Sequence, residues 1–175
     1  ITDADEYVRA SAARSLGKAL ALIALTGSPR AVLGAAPRPY TLVLGTAQDG
    51  GVPQAGCTKT CCTSGRHEAV ASLALVDPAS RQWWLFDATP DFREQLARMR
   101  REAPACTLVG VFVTHAHMGH YTGLLHLGRE AAGTQDVSVW AMPRLRGYLT
   151  DNGPWSQLVR LRNIALLPLA ADSTK

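Results

Sequence analysis

Thr114-His115-Ala116-His117-Met118-Gly119-His120 decides the reading of this chain. It places three of the five histidines within six positions, directly after the apolar run Leu108-Val109-Gly110-Val111-Phe112-Val113. That run predicts a central strand. Alternate residues of an extended segment point the same way, so His115 and His117 can reach one ion. His120 follows three positions later, where the chain bends into a helix, and can reach a neighbouring ion about 3.5–4 Å away. Imidazole nitrogens suit Zn²⁺ and similar borderline metals. The rival reading is a chance gathering of solvated histidines at a strand end. Three at this spacing favour a metal.

Outward from the turn, Tyr40-Thr41-Leu42-Val43-Leu44 predicts a buried strand, followed by a polar, Gly-rich loop from Gly45 to about Arg66. Val70–Val76 and Gln82–Phe86 predict an antiparallel pair around Asp77-Pro78-Ala79-Ser80. Thr89-Pro90-Asp91 predicts a helix start, with a Thr cap, Pro at the first helical position and an acid in the first turn. Phe92, Leu96 and Met99 recur at helical spacing until Pro104. A helix through Leu124, Leu125 and Leu127, a strand at Val137–Ala141, a helix opened by Pro143 and a strand from Ile164 complete the pattern. Strands and helices alternate after the first hairpin, which predicts a layered α/β or α+β sandwich. Of the neighbours Trp83 and Trp84, one should enter the core. The run Arg98–Glu102 suits a helix C-terminus.

The whole chain has 175 residues and 18.7 kDa, with 47% hydrophobic and 18% charged residues, which excludes a disordered reading. Eighteen Lys and Arg against fourteen Asp and Glu give a net charge of +4. The arginines are interleaved with acids instead of gathered, so a nucleic-acid partner is not expected. No apolar run reaches the roughly 18 residues that span a bilayer. Residues 1–39 differ from the rest: a basic flank, the apolar stretch Leu16–Leu25 and a small-residue exit have the shape of an export signal over 16–36. Lys18 and the acids Asp3, Asp5 and Glu6 speak instead for an amphipathic helix. The compartment follows that choice, periplasmic or secreted in the first case and cytoplasmic in the second. Ile1 in place of Met, and the abrupt end after Ile164–Leu169, lead to the expectation of a piece of a longer or processed chain.

The histidine turn with Tyr121-Thr122-Gly123-Leu124 resembles the signature of the metallo-β-lactamase superfamily, His-x-His-x-Asp-His followed by a nearby Gly. Leu42–Thr46 resembles the first strand of that fold, and Leu85-Phe86-Asp87-Ala88-Thr89 the strand whose Asp supports the turn. Within the superfamily, Gly45–Gln54, the cysteines after it and Thr89–Arg93 look most like the branch containing the pyrroloquinoline quinone biosynthesis protein B. The resemblance covers about residues 40–170 and implies an α+β, four-layer αββα sandwich, of which 40–175 would supply the N-terminal half and part of the second. It implies that His115 and His117 hold a first metal, that His120 serves a second, and that Asp87 orients the turn from outside the ligand shell. Gly119 stands where the family places an Asp ligand. Without a donor there, the second site would be weak, differently ligated or empty, so one or two zinc ions are expected. The family's later ligands would lie beyond Lys175. His126, facing leucines, reads as structural.

Cys57, Cys61 and Cys62 crowd the long loop, where a thiolate-bound zinc would fasten a segment that packing alone cannot hold. The branch carries a Cys-x-Cys-x-x-Cys cluster with a structural zinc there, and the resemblance implies the same, with His67 as fourth ligand. A disulfide from Cys57 to one neighbour, and free thiols, are the alternatives. Cys106 reads as core. Asp49 and Gln54 could approach the metal mouth, but Asp49-Gly50-Gly51 is equally a plain turn, and the turn is the preferred reading.

These readings predict a metal-dependent hydrolase that uses a metal-bound hydroxide on a small-molecule ester, phosphoester or amide, with no general acid assignable in this half. The alternative is an accessory metal-binding protein of coenzyme PQQ biosynthesis with little or no hydrolase activity. A redox or zinc-ribbon-like module built on the cysteines is the third reading. A half-sandwich should expose an apolar sheet face, so self-association into a homo-oligomer is expected.

Overall fold

A computed structural model describes residues 37–170. The 16–36 segment read as an export signal lies outside the described residues. Among the described residues, one mixed sheet carries six strands in the spatial order of the sequence. These are β1 (Tyr40–Gly45), β2 (Ser72–Asp77), β3 (Gln82–Phe86), β4 (Thr107–Phe112), β5 (Val137–Ala141) and β6 (Ile164–Pro168). The first two pairings are antiparallel and the last three parallel. The switch follows from what joins the strands. A short turn after Asp77 lets β2 fold back on β3, with Asp77 Oδ2 accepting from Ser80 Oγ at 2.7 Å and Oδ1 from the Ala79 N–H at 3.0 Å. From β3 onward each connection contains a helix, and a helical crossover returns the chain in the same direction.

Those crossovers are α2 (Phe92–Glu102), then the single turn α3 (Met118–Tyr121) running into a 3₁₀ segment (Thr122–Leu127), and finally α4 (Pro143–Asp151) with α5 (Trp155–Arg160). A further turn, α1 (Thr60–Thr63), interrupts the loop after β1, where the sequence pattern suggests no regular structure. The period-2 rule sorts the strands. Ala74, Val76, Trp83, Leu85, Val111, Val139 and Ala141 point to the helices and join Phe92, Met99, Leu124, Leu127, Leu149 and Leu158 in one core. Burying these side chains at roughly 1.5–3 kcal/mol for each large one is what holds the helices to the sheet. Trp83 enters the core at 3% exposure and Trp84 takes the opposite face.

That opposite face is apolar as well. The register aligns Val43, Leu73, Phe86, Phe112, Trp140 and Leu167 in one row across all six strands. Phe86 stacks on Phe112 at 5.1 Å between ring centroids, and Phe112 on Trp140 at 4.5 Å. Val43 and Leu73 are 50% and 41% exposed. One sheet with one helix layer is thus two of the four layers that the family resemblance implies.

Two local expectations shift. α2 begins at Phe92, two residues after Pro90, and the Asp91 carboxylate accepts from the Val70 N–H at 2.7 Å. Thr89 serves the start differently: its Oγ1 accepts from the Asp91 N–H and donates to Gln95 Oε1. The helix expected after the histidine turn is mostly 3₁₀. Gly123 packs there so closely that a Cβ would lie 2.2 Å from the Thr89 carbonyl oxygen. His126 stacks flat on Phe92 at 6.0 Å, in keeping with a structural role.

Candidate metal centre

The site forms where β3 and β4, parallel neighbours, end side by side. The Asp87 N–H donates to the Phe112 carbonyl at 2.9 Å, so pairing continues one residue past β3. Asp87 then turns with φ +67°, a conformation that Asp and Asn tolerate better than other side chains. The Ser72 hydroxyl steadies it by donating to its carbonyl at 3.0 Å. Its carboxylate, side chain 11% exposed, accepts from the Thr114 N–H at 2.8 Å and the Thr114 hydroxyl at 2.9 Å. Asp87 therefore fixes the first residue of the histidine turn.

The histidines fan out from there. His115 Nδ1 lies 3.0 Å from Thr114 Oγ1, and its Nε2 lies 3.1 Å from His117 Nδ1. His120 is drawn beneath, with its ring centroid 4.0 Å from that of His115. The Ala88 N–H donates to the His120 carbonyl at 2.9 Å, which ties the turn to the residue after Asp87. His117 is 72% exposed and His120 only 13%. His120 Nδ1 is buried and 2.8 Å from Asp87 Oδ2, yet off the line of a hydrogen bond.

Asp49 completes the group. The loop after β1 makes the expected turn, with the Gly51 N–H donating to the Gln48 carbonyl at 2.8 Å. The same turn also delivers the Asp49 carboxylate to the histidines, 3.0 Å from His120 Nε2 and 3.5 Å from His117 Nδ1. The plain-turn reading is thus corrected to a turn that also aims a side chain. The available signal was a single acid in a Gly-rich loop, together with the donor missing at Gly119. Gln54 instead accepts from Gln48 Nε2 at 3.3 Å.

Three imidazoles and two carboxylates are an N/O donor set suited to Zn²⁺ and related divalent cations. The buried His120 Nδ1 stands close to a carboxylate of the kind that orients a ligating imidazole, at 2.8 Å but without hydrogen-bond alignment. The donors meet pairwise, as a chain from His115 through His117 and Asp49 to His120. The donor types suit a divalent ion, which His115, His117, His120 and Asp49 would hold with Asp87 beside them; among the described residues only the cysteine sulfurs already lie mutually within 4.8 Å, so these four donors would have to close further around an ion.

The cysteines form a second cluster. The sulfurs of Cys57, Cys61 and Cys62 all lie within 4.8 Å of one another. Cys57 and Cys62 are joined as a disulfide, and Cys61 Sγ is 3.9 Å from Cys62 Sγ. His67, expected as a fourth ligand, faces Glu94 at 3.9 Å and does not join the sulfurs. A recess of about 520 Å³, lined by Gln48, Val52, Gln54 and the three cysteines among others, opens in this loop. Cys106 is half-buried against the core.

A mixed sheet with helices on one face, and a histidine turn at the end of a central strand, define a metallo-β-lactamase fold. Residues 82–174 match the model of the beta-lactamase superfamily domain. With more than half of it matched, the chain belongs to that superfamily. Within it the chain is similar to the coenzyme PQQ synthesis protein B branch. The protein of that name from Pseudomonas aeruginosa (strain LESB58) is 34% identical over 143 residues, covering 71% of this chain and 45% of the relative. The Zn²⁺-bound PqqB structure from Methylobacterium extorquens superposes with TM-score 0.63 at 24% identity, over 77% of this chain and 47% of that one. A diphosphatase of the PhnP family superposes with TM-score 0.60 at 22% identity, over 79% and 53%. The chain spans about half the length of the curated relatives it matches.

Proposed function

We propose that the protein carrying this chain is a metal-dependent hydrolase of the metallo-β-lactamase superfamily, acting on an ester, phosphoester or amide of a small molecule. One observation carries the reading: His115, His117, His120 and Asp49 gather at the C-terminal end of β4, beside the buried carboxylate of Asp87. A bound ion supplies Lewis acidity toward a carbonyl or phosphoryl oxygen and toward water. Zinc is the favoured ion, given the donor set and the zinc named with the PqqB structure. In this chain, His115 and His117 present exposed nitrogens from an extended segment. Asp87 holds the start of that segment through Thr114 and stands 2.8 Å from His120 Nδ1. The diphosphatase named among the structural neighbours puts phosphoesters first among the substrates to test.

The second reading is an accessory metal-binding protein of coenzyme PQQ biosynthesis. Gly119 favours it, since the histidine turn lacks its own carboxylate, and so does the name of the curated relatives. A single assay separates the two. The natural protein carrying this chain is loaded with Zn²⁺ or Mn²⁺ and given bis(p-nitrophenyl) phosphate, a cyclic nucleotide and a chromogenic lactam. The hydrolase reading expects turnover that His115→Ala abolishes. Metal binding with no turnover on any of them, or turnover indifferent to His115→Ala, contradicts it.

A further inference from the structure

We infer that Asp49 is a direct carboxylate ligand of this centre, supplying from another loop the donor that position 119 lacks. The inference rests on the metal-centre reading above. Its first support is steric complementarity. Gly119 is buried, and a Cβ built on it would lie 2.7, 2.9 and 3.0 Å from Cα, Cβ and Cγ of Asp49. The space that a side chain at 119 would fill is already filled by Asp49.

The second support is which nitrogen Asp49 meets. A ligating histidine turns one ring nitrogen to the ion and the other to an outer acceptor. For His120, Nδ1 is the nitrogen turned to the buried Asp87, 2.8 Å away though off the line of a hydrogen bond. Nε2 is therefore the nitrogen left for an ion, and Asp49 Oδ1 stands 3.0 Å from it. Asp49 Oδ2 is 3.5 Å from His117 Nδ1, which itself neighbours His115 Nε2. The carboxylate thus meets one nitrogen of His120 and one of His117, the His120 nitrogen being the one not turned to Asp87.

The third support is that the acid is anchored and otherwise unengaged. On one side of it, the Thr46 and Ala47 N–H groups both donate to the Ala69 carbonyl at 3.0 Å. On the other, Val52 and Glu68 exchange backbone hydrogen bonds at 3.0 and 2.8 Å. Among the described residues, its carboxylate pairs with those two imidazoles and with no Lys or Arg.

The test uses the natural protein carrying this chain, its Asp49→Asn variant and the exchange variant Asp49→Gly with Gly119→Asp. Zn²⁺ affinity is read by competition with a chelating dye, and Co²⁺ loading by the visible absorption of the bound ion. Denaturation midpoints confirm that each variant folds. Asp49→Asn should weaken Zn²⁺ by more than about 100-fold, beyond the 10–100-fold that a lost outer partner costs. It should also change the Co²⁺ bands, and the exchange variant should recover most of the affinity. A folded Asp49→Asn variant with a loss of 100-fold or less and unaltered Co²⁺ bands overturns the inference while leaving the centre in place. A folded exchange variant as weak as Asp49→Asn overturns it as well. If the unmodified protein binds neither ion in a way that His115→Ala disturbs, the metal-centre reading itself fails.

Discussion

Replacing Asp87 tests whether one carboxylate holds both the fold and the histidine turn. Alanine would orphan two donors now satisfied at 2.8 and 2.9 Å, the Thr114 N–H and hydroxyl. An unsatisfied group costs about 1–3 kcal/mol when fully buried and less at Thr114, an exposed residue. Alanine at φ +67° adds about 1–2 kcal/mol of backbone strain. Asp87→Ala should therefore cost about 3–5 kcal/mol, allowing for partial access of water at this rim. Asp87→Asn keeps the shape and tolerates the left-handed backbone, losing only the charge and one acceptor, so about 1–2 kcal/mol is expected. Urea unfolding followed by tryptophan fluorescence reads both, and chelator competition reads Zn²⁺ affinity. The asparagine variant, still folded, should bind Zn²⁺ about 10–100-fold more weakly. Equal stability of the alanine, asparagine and unmodified proteins would refute the hydrogen-bond reasoning. An asparagine variant with undiminished affinity would refute the link from Asp87 to the histidines.

The apolar row across the sheet, exposed at Val43 and Leu73 and half-buried beyond them, should make residues 1–175, expressed alone, self-associate. Leu73→Lys, second in that row and 41% exposed, should shift sedimentation toward monomer without lowering the unfolding midpoint; an unchanged distribution would contradict this. The Cys57–Cys62 link predicts two free thiols in the oxidised protein, Cys61 and Cys106, and four after reduction. Titration under denaturing conditions that finds four thiols before reduction would instead favour a thiolate metal clip.

Much of the architecture was legible because it is written in short-range pattern. The alternation through Gln82–Phe86 placed one tryptophan inward, and Phe92 and Met99 at helical spacing marked the buried stripe of α2. The histidine turn was legible for the same reason, since its three imidazoles lie within six positions of one strand end. Asp49 was not. It meets His120 across 71 positions, and nothing local separates an acid that caps a turn from one that the turn carries to a site. Asp91 and His67 were obscured in the same way. Asp91 answers the Val70 N–H, 21 positions away, and His67 turns toward Glu94 instead of the cysteines beside it in sequence. Chain pattern reports which face a residue takes, while the partner on that face is set by the path of a loop.

The most direct test of the metal centre is anomalous diffraction at the zinc edge, on crystals of the natural protein carrying this chain grown with Zn²⁺. A peak is expected among the rings of His115, His117 and His120, with an Asp49 oxygen inside the coordination distance of about 2.0–2.2 Å. No density among those rings, with any zinc confined to the cysteines, would contradict it.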